Sequence, residues 1–376
     1  MPTLTKAGPR AGATLRRTRL AGALTAGVAT LSCLFAAPPA HAATPDPNPA
    51  VRAADFVAGS LVGGDHLTSQ FGDESATADG LLALAAGGSH PGEVAAMTAY
   101  LQAHASAYAT SPEAAAKLVL VAAAAGADPK NFGGVDLVEL MADGVAADGA
   151  FGQYPGPYSS GLGLIAMRRC GDPAPDSMTT WLVGQQQPDG GWGFDPTAPS
   201  DTDSTGMALL GLAALPAPDA ATTAAIDAAK AWVQANQQAD GSWAGAAPVN
   251  STAVLAMAQL ATGLDATKAV AWLASTQLTD GGLPTQAGGT AADPLATAQA
   301  ALPLAQATYL SVGANAATPG SATPGSATAP PKPPEPPDQP PAWATWGIPI
   351  ALIVVIVIVI VAVQAMRRSD REGNAD

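Results

Sequence analysis

A unit that recurs about every forty-five residues constrains this 376-residue chain more than any other feature. Three copies are plain, in segments 181–212, 232–260 and 272–302, and each runs from a tryptophan through glutamine and Asp-Gly to an Ala- and Leu-rich stretch. One position of the unit, usually threonine, can be followed along the chain six times, at Thr77, Ala116, Ser160, Thr205, Thr252 and Thr297. A fixed period of this length is typical of helical repeat architectures, so the repeat predicts the fold.

Each unit contains the signals of two helices. The tryptophan-bearing helix ends at Asp-Gly, because glycine tolerates the left-handed conformation that closes a helix. A loop with glycine and proline follows, and then a short polar residue that can cap a second helix. That second helix is apolar on almost all sides, which predicts burial. We therefore expect an all-α fold, an α/α toroid of about six helix pairs with the inner helices packed behind the outer ones.

The repeat also resembles that of a known family. The pattern Gln-x-x-x-Gly-x-Trp, approximated by 187–192 and 238–243, is similar to the repeat of squalene and terpene cyclases and of protein prenyltransferases. The same toroid is used by cobalamin carriers of the transcobalamin and intrinsic-factor type and by thioester domains of complement-like proteins. The resemblance covers about residues 50–312. It is specific for the fold and weak for the function, because one fold serves several chemistries.

The beginning of the chain predicts export. Residues 1–42 resemble a signal peptide, with basic residues at the front, an apolar stretch over 20–37 and the small-x-small sequence Ala-His-Ala at 40–42. Export by the twin-arginine route, suggested by Arg16 and Arg17, stays open as an alternative to the general route.

The end of the chain predicts a membrane anchor. Residues 347–366 are almost all Ile, Val, Ala and Leu, long enough to cross ~30 Å of hydrocarbon, so 342–366 is predicted as a single transmembrane helix. The arginines that follow predict a cytoplasmic tail at 367–376. The Pro-rich sequence of residues 314–341 predicts a stalk of extended polyproline type. The toroid, assigned to 43–313, is thus expected outside the cell membrane.

Composition and cysteine usage exclude several function classes. The formal net charge of −14 and the pI near 4.5 argue against nucleic-acid binding. Cys33 leaves with the signal peptide, so Cys170 stands alone and no internal disulfide is expected. Cys170 lacks the Asp two residues before it and the later His that the zinc site of prenyltransferases needs, and the thioester Cys-Gly-Glu-Gln sequence is also lacking. No cofactor or metal is implied, although Asp195, Asp201 and Asp203 would form either a calcium-binding loop or a solvated acidic loop.

Asp203 is the candidate acid that the family resemblance suggests. The run Asp201-Thr202-Asp203-Ser204 takes the place of the Asp-x-Asp-Asp motif of the cyclases, and Asp203 matches the residue that protonates the polyene. The last Asp is Ser204, and no His occurs after His104 to hold the acid protonated through a hydrogen bond. The alternative role for Asp203 is a helix N-cap, as for Asn250 in the next unit.

The distribution of aromatic residues favours ligand binding at one mouth of the ring. Carbocation chemistry needs aromatic walls, whereas the inner helices offer Ala, Leu and Met, and the aromatic residues lie on the loops. The candidate ligand-binding residues are Tyr154, Tyr158, Trp192, Phe194, Asp201 and Trp243. Trp192 and Trp243 belong to the repeat signature and therefore also fit structural packing.

We therefore expect a non-catalytic protein that captures or presents a ligand. By resemblance to the cobalamin carriers, the ligand is a cobalamin-like small molecule, or else a protein. A membrane transporter or a second-domain partner would complete the site, since this chain has no β domain to close over a ligand. Two alternatives remain: a proton-initiated terpene-cyclase-like isomerase that uses Asp203, and a structural, protein-binding envelope domain.

Overall fold

The structure, a computed structural model, describes residues 48–313, and these residues form two concentric layers of α-helices. The outer layer contains α1 (Pro49–Gly59), α3 (Pro91–Tyr108), α5 (Leu137–Ala142), α7 (Asp176–Gly184), α9 (Ala220–Asn236) and α11 (Thr267–Thr276). The inner layer contains α2 (Asp73–Gly87), α4 (Pro112–Ala125), α6 (Pro157–Cys170), α8 (Thr202–Ala213), α10 (Pro248–Thr262) and α12 (Pro294–Leu304). A 3-10 turn at Pro129–Asn131 precedes α5. Over 48–313 the chain is all-α, with isolated bridges in place of strands.

The inner helices form a closed ring. Each packs against the inner helix on either side, and α12 packs against α2. The first and last units are also joined in the outer layer, where the Arg52 Nη2 donates to the Leu278 carbonyl oxygen at 2.7 Å and the Gln277 Nε2 donates to the Pro49 carbonyl oxygen at 2.9 Å. The predicted α/α toroid of six helix pairs is therefore confirmed for this part of the chain.

The recurring threonine has a recurring structural role. All six anchor positions lie in inner helices, and at four of them the threonine Oγ1 accepts a hydrogen bond from a backbone N–H of the loop that enters the helix. The donors and acceptors are Leu67 to Thr77 (3.0 Å), Trp192 to Thr205 (2.9 Å), Trp243 to Thr252 (3.2 Å) and Leu283 to Thr297 (2.8 Å). A buried backbone donor needs such a partner, so this bond explains why the hydroxyl recurs at this position of the repeat.

The inner helices begin earlier than the threonine pattern predicts. Proline occupies the first turn of α4, α6, α10 and α12, where its missing N–H costs nothing and its fixed φ suits the helix. The N-cap of α8 is Asp201, whose side chain accepts from the Ser204 N–H at 2.8 Å. The prediction that Asp203 and Asn250 are N-caps is therefore wrong. Asn250 lies within α10, and its Nδ2 donates to the Gln299 Oε1 at 3.0 Å.

Two glycines bring α6 and α8 into backbone contact. A Cβ atom on Gly161 would overlap the Met207 carbonyl oxygen, and a Cβ atom on Gly211 would lie 2.6 Å from the Gly161 Cα. Neither position has room for a side chain. The start of α6 therefore packs backbone to backbone against the second half of α8.

The predicted signal peptide (1–42), stalk (314–341), transmembrane helix (342–366) and cytoplasmic tail (367–376) lie outside the described residues. Among residues 48–313, none of the helices combines the length and the apolar character that a membrane span requires.

Candidate functional site

The inner helices all begin at the same end of the ring, because every unit runs in the same order from outer helix to loop to inner helix. We call this end the mouth. It consists of the first turns of the inner helices and of the loops before them, which are 60–72, 109–111, 143–156, 185–201, 237–247 and 277–293.

Exposed apolar side chains are concentrated at the mouth. Of the large apolar side chains that are exposed within 48–313, all but Leu140 on α5 belong to it: Val62, Phe71, Tyr154, Tyr158, Phe194 and Leu295. The loops that carry Tyr154 and Phe194 adjoin, since a Cβ atom on Gly156 would lie 3.2 Å from the Phe194 carbonyl oxygen. Exposed apolar groups gathered at one end of a domain are a feature of interaction surfaces.

Asp203 lies on the first turn of α8, at the mouth. Its side chain is exposed, yet burial by the surrounding protein raises the pKa of its carboxyl group to about 6. The Ser251 hydroxyl opposes this rise in pKa, and the negative charge of Asp201 adds to it. The carboxyl group therefore reaches solvent while much of it is surrounded by protein, which disfavours its charged form. With a pKa of about 6, Asp203 can hold and donate a proton near neutral pH.

Tyr158 is the neighbour of Asp203 on the first turn of α6. Burial raises the pKa of its phenol to about 12, the positive charge of Lys117 lowers it, and the negative charges of Asp79 and Asp203 raise it. The phenol is therefore protonated at neutral pH. Its side chain is also exposed, so Tyr158 and Asp203 present a neutral aromatic ring and a titrating acid to the same space.

A buried ion pair lies behind Tyr158. The Lys117 Nζ on α4 contacts the Asp79 Oδ2 on α2 at 2.8 Å and donates to the Ser75 Oγ at 3.0 Å. Burial alone would lower the pKa of Lys117, but the Asp79 carboxylate raises it above its ordinary value, so Lys117 stays charged. The pair is neutral as a whole, and it joins the neighbouring inner helices α2 and α4.

The opposite end of the ring is crossed by the segment 305–313, which follows α12. The Arg169 Nη1 and Nη2, in the last turn of α6, donate to the carbonyl oxygens of Leu310 (2.9 Å) and Val312 (2.6 Å). Gly313 then lies against Ala124, in the last turn of α4. The segment therefore runs beneath the ring from α6 to α4.

Tyr309 of this segment reaches into the ring interior. It is buried, and burial together with the negative charge of Asp79 and the proximity of Tyr158 raises the pKa of its phenol well above the ordinary value. Tyr309, which comes from the closed end, thus lies near Tyr158 at the mouth.

The six residues predicted from the sequence to bind a ligand fall into two groups. Tyr154, Tyr158 and Phe194 are exposed at the mouth, and Asp201, next to them, caps α8 and has a pKa that burial raises. Trp192 and Trp243 are fully buried, and their indole Nε1 atoms donate to carbonyl oxygens of the outer helices, Leu182 at 2.8 Å and Val233 at 3.0 Å. In this structure the two tryptophans pack the inner layer against the outer layer.

Asp195, Asp201 and Asp203, which the sequence grouped as one acidic loop, have separate roles in the structure. The Asp195 Oδ1 accepts hydrogen bonds from the Thr197 N–H and hydroxyl group and from the Ala198 N–H, which fixes a local turn. Asp201 is a helix cap and Asp203 faces the mouth. Nowhere in residues 48–313 do three or more His, Cys, Asp or Glu side chains come together in a metal-binding arrangement.

Sequence reasoning did not find the Asp79–Lys117 pair or Tyr309. A signal for the pair exists, because Asp79 and Lys117 interrupt helices that are otherwise apolar, and buried charges require partners. Tyr309 carries no comparable signal, since it follows the last repeat and its place depends on how the chain end folds back.

Comparison with known proteins agrees with this fold. A family model described as the prenyltransferase alpha-alpha toroid domain matches residues 158–311. A variant of the type II terpene cyclase MstE from Scytonema, in complex with geranylgeranyl dihydroxybenzoate, superposes with a TM-score of 0.55 and 16% identity, over 69% of this chain and 96% of that chain. The apo form of MstE gives a TM-score of 0.52 and 16% identity, over 63% and 81%. A protein from Actinoplanes gives a TM-score of 0.51 and 17% identity, over 68% and 97%. No curated protein sequence matches this chain.

These findings correct the leading expectation from the sequence. Non-catalytic capture or presentation of a cobalamin-like ligand is wrong as the main interpretation, because the solved structures that superpose on this chain include type II terpene cyclases. They favour the alternative that was built on Asp203. Residues 158–311 thus match the prenyltransferase alpha-alpha toroid domain, and the closed ring of repeats has the fold of the solved type II terpene cyclases.

Proposed function

We propose that this protein is a terpene-cyclase-like isomerase that starts a cyclisation by protonating a carbon–carbon double bond of an isoprenoid from Asp203. One observation carries the proposal: the Asp203 carboxyl group reaches solvent at the mouth while burial raises its pKa to about 6. A carboxylic acid in this state is a competent proton donor at the pH of most cellular compartments.

The reaction needs an acid, an apolar site and surroundings that tolerate positive charge. The proton of Asp203 forms a new C–H bond with one alkene carbon, and the π electrons of that double bond supply the bond. The carbocation left on the other carbon is attacked by the next double bond, which closes a ring, and loss of a proton from a neighbouring carbon ends the sequence. One proton enters and one leaves, so the product is an isomer of the substrate.

The neighbours of Asp203 suit this chemistry. The neutral ring of Tyr158 offers a π face beside the acid, and such a face stabilises nearby positive charge. The charge of Lys117 would disfavour a carbocation, but the Asp79 carboxylate at 2.8 Å cancels most of its field. The exposed rings of Tyr154 and Phe194 would contact the hydrocarbon at the mouth.

Two departures from the cyclase motif are compensated locally. Ser204 replaces the last Asp, but the carboxylate of Asp201, two residues before Asp203, still raises its pKa. No His follows His104 to hold the acid protonated, and burial, the largest cause of the raised pKa, acts in its place.

Turnover of squalene or another polyene by the purified chain, followed by mass analysis of the products, tests the proposal. Native protein should give cyclised isomers, and Asp203→Asn should lower the rate at least ~100-fold, because the amide cannot donate the proton. Asp219→Asn is the matched control, since Asp219 is also a helix-cap-region carboxylate, but on the exposed start of α9. Equal turnover by native protein and Asp203→Asn would refute the role of Asp203, and absence of turnover by native protein would refute the function.

The location of the protein is a separate proposal that rests on the sequence alone. We propose a single-pass cell-membrane protein with the toroid outside, from the leader at 1–42 and the apolar segment at 342–366. Fractionation of cells and protease treatment of intact cells test it. Recovery of the full-length chain in the cytosolic fraction would contradict it.

A further inference from the structure

We infer that the isoprenoid accepted beside Asp203 is uncharged or cationic, and that a prenyl diphosphate is not the substrate. The inference rests on the proposed function, and it concerns the substrate class of the same site. It follows from the charges that surround the mouth and from the apolar groups between them.

The loops of the mouth carry negative charge and no basic side chain except histidine. The six loops contain neither Lys nor Arg, and their acidic residues are Asp65, Asp143, Asp148, Asp189, Asp195, Asp201, Asp240, Asp280 and Asp293. The first turns of the inner helices add Asp73, Glu74, Glu113 and Asp203. The single histidine of these loops, His66, contacts Asp65 at 2.7 Å. Acidic side chains gathered at one end of the ring without basic ones give that end a negative potential, which repels anions and attracts cations.

The inner helices offer no cation that would offset this field. They contain three basic side chains within the described residues: Lys117, Arg168 and Arg169. Lys117 is paired with Asp79, and the two arginines lie in the last turn of α6, at the end opposite the mouth, where Arg169 binds carbonyl groups of segment 305–313. In agreement with this placement, the charge that acts on the Asp203 carboxyl group is that of Asp201, and no Lys or Arg lowers its pKa.

The negative charges of a prenyl diphosphate would be repelled by the acidic side chains of the mouth, with no Lys or Arg on these loops to bind them. Proteins that bind diphosphates use Lys and Arg donors or a metal ion held by carboxylates. Within residues 48–313, Lys117 is paired with Asp79, Arg52 of outer helix α1 is bound to the Leu278 carbonyl oxygen, and no metal-binding cluster occurs. An uncharged polyene instead gains from the exposed apolar side chains of Phe71, Tyr154, Phe194 and Leu295.

Three probes with the same hydrocarbon chain test the inference: geranylgeraniol, geranylgeranylamine and geranylgeranyl diphosphate. Binding to the full chain is measured by competition with a fluorescent polyene, with and without Mg²⁺, and turnover of each probe is followed in parallel. We expect the alcohol and the amine to bind at least ~10-fold more tightly than the diphosphate at low ionic strength. The difference in affinity between these probes and the diphosphate should decrease with added salt, since the Debye length falls from ~30 Å at 0.01 M to ~8 Å at 0.15 M ionic strength.

A matched pair of variants tests whether electrostatic repulsion at the mouth causes the weak binding of the diphosphate. Leu295 at the mouth and Leu140 on α5 are about equally exposed, at 36% and 37%. Leu295→Lys should strengthen binding of the diphosphate about fivefold, as expected for one added charge near the surface, whereas Leu140→Lys should leave it unchanged.

The outcomes separate the inference from the proposed function. Diphosphate binding as tight as that of the alcohol, with or without Mg²⁺, overturns the inference, and so does cyclisation of the diphosphate at the rate of the alcohol, which would leave the function intact. If the predicted order of binding holds but no probe is converted, the enzymatic function fails and the charge selectivity of the mouth stands. If none of the probes binds, both fail.

Discussion

Replacing Asp203 by asparagine should make the protein more stable at neutral pH relative to acidic pH. The folded protein holds the proton of Asp203 with a pKa of about 6, against an ordinary value of 3.8. The protonated group therefore favours the folded state at low pH, and this contribution is lost as the pH rises through about 6. Asparagine has the same shape as the protonated acid and does not titrate, so the variant does not lose this contribution to stability as the pH rises.

The size of the effect follows from the pKa. At a pH one unit below the pKa, protonation of the folded state contributes about 1.4 kcal/mol, and near pH 7.5 it contributes almost nothing. Solvent reaches the side chain, and its screening reduces the expected difference to about 1 kcal/mol. Between about pH 5 and pH 7.5, the unfolding free energy of native protein should therefore fall by about 1 kcal/mol relative to that of Asp203→Asn.

Urea unfolding followed by tryptophan fluorescence measures this difference, because Trp192 and Trp243 are fully buried and report the loss of the core. Asp219→Asn is the control. Hydrogen bonds from the Thr222 N–H and hydroxyl group lower the pKa of Asp219, so its titration lies below the pH range of the experiment. That variant should differ from native protein by a constant amount at each pH. If native protein and Asp203→Asn show parallel curves, the raised pKa of Asp203 and the proton-donor role built on it are both refuted.

Three further substitutions test the packing that positions the site. Gly161→Ala should lower the unfolding free energy by about 3 kcal/mol, since the new methyl group would overlap the Met207 carbonyl oxygen, and a loss below about 1 kcal/mol by urea unfolding would contradict the backbone contact of α6 and α8. Arg169→Ala should release segment 305–313 from the end of the ring. Hydrogen exchange of the backbone amides at 309–312 should then become faster, while the amides of the ring helices stay protected. Unchanged exchange at 309–312 would show that the two hydrogen bonds of Arg169 do not hold the segment. Trp192→Phe should cost about 2 kcal/mol through a smaller ring and the unpaired Leu182 carbonyl group, and a thermal midpoint equal to that of native protein would argue against this packing role.

The toroid could be predicted from the sequence because its signals are repeated and local. The anchor threonines recur since each makes the same hydrogen bond to the entering loop, so the period, the number of helix pairs and the inner layer follow from the pattern. The helix starts were misplaced, because Pro157, Pro248 and Pro294 begin the helices and the threonines lie a turn further on.

The site was only partly predictable, because its chemistry depends on contacts between units. Asp203 was found by resemblance, but its raised pKa comes from atoms that the ring brings around it. The salt bridge of Lys117 and Asp79 joins residues 38 positions apart, and the approach of Tyr309 to the interior depends on the clamp by Arg169. A periodic pattern identifies which residues share a layer, and it carries no information on which of them meet across the interior.

Closure of the ring also sets an order of events in folding. The contacts that join the ends, from Gln277 to Pro49 and from Arg52 to Leu278, link residues 228 and 226 positions apart. While the chain is being synthesised, α2 presents a bare apolar face until α12, about two hundred residues later, emerges to cover it. Such long-range pairing slows folding and leaves intermediates with exposed apolar surface, which are prone to aggregation. We therefore expect a nascent chain of this kind to be prone to aggregation until its last repeat is complete.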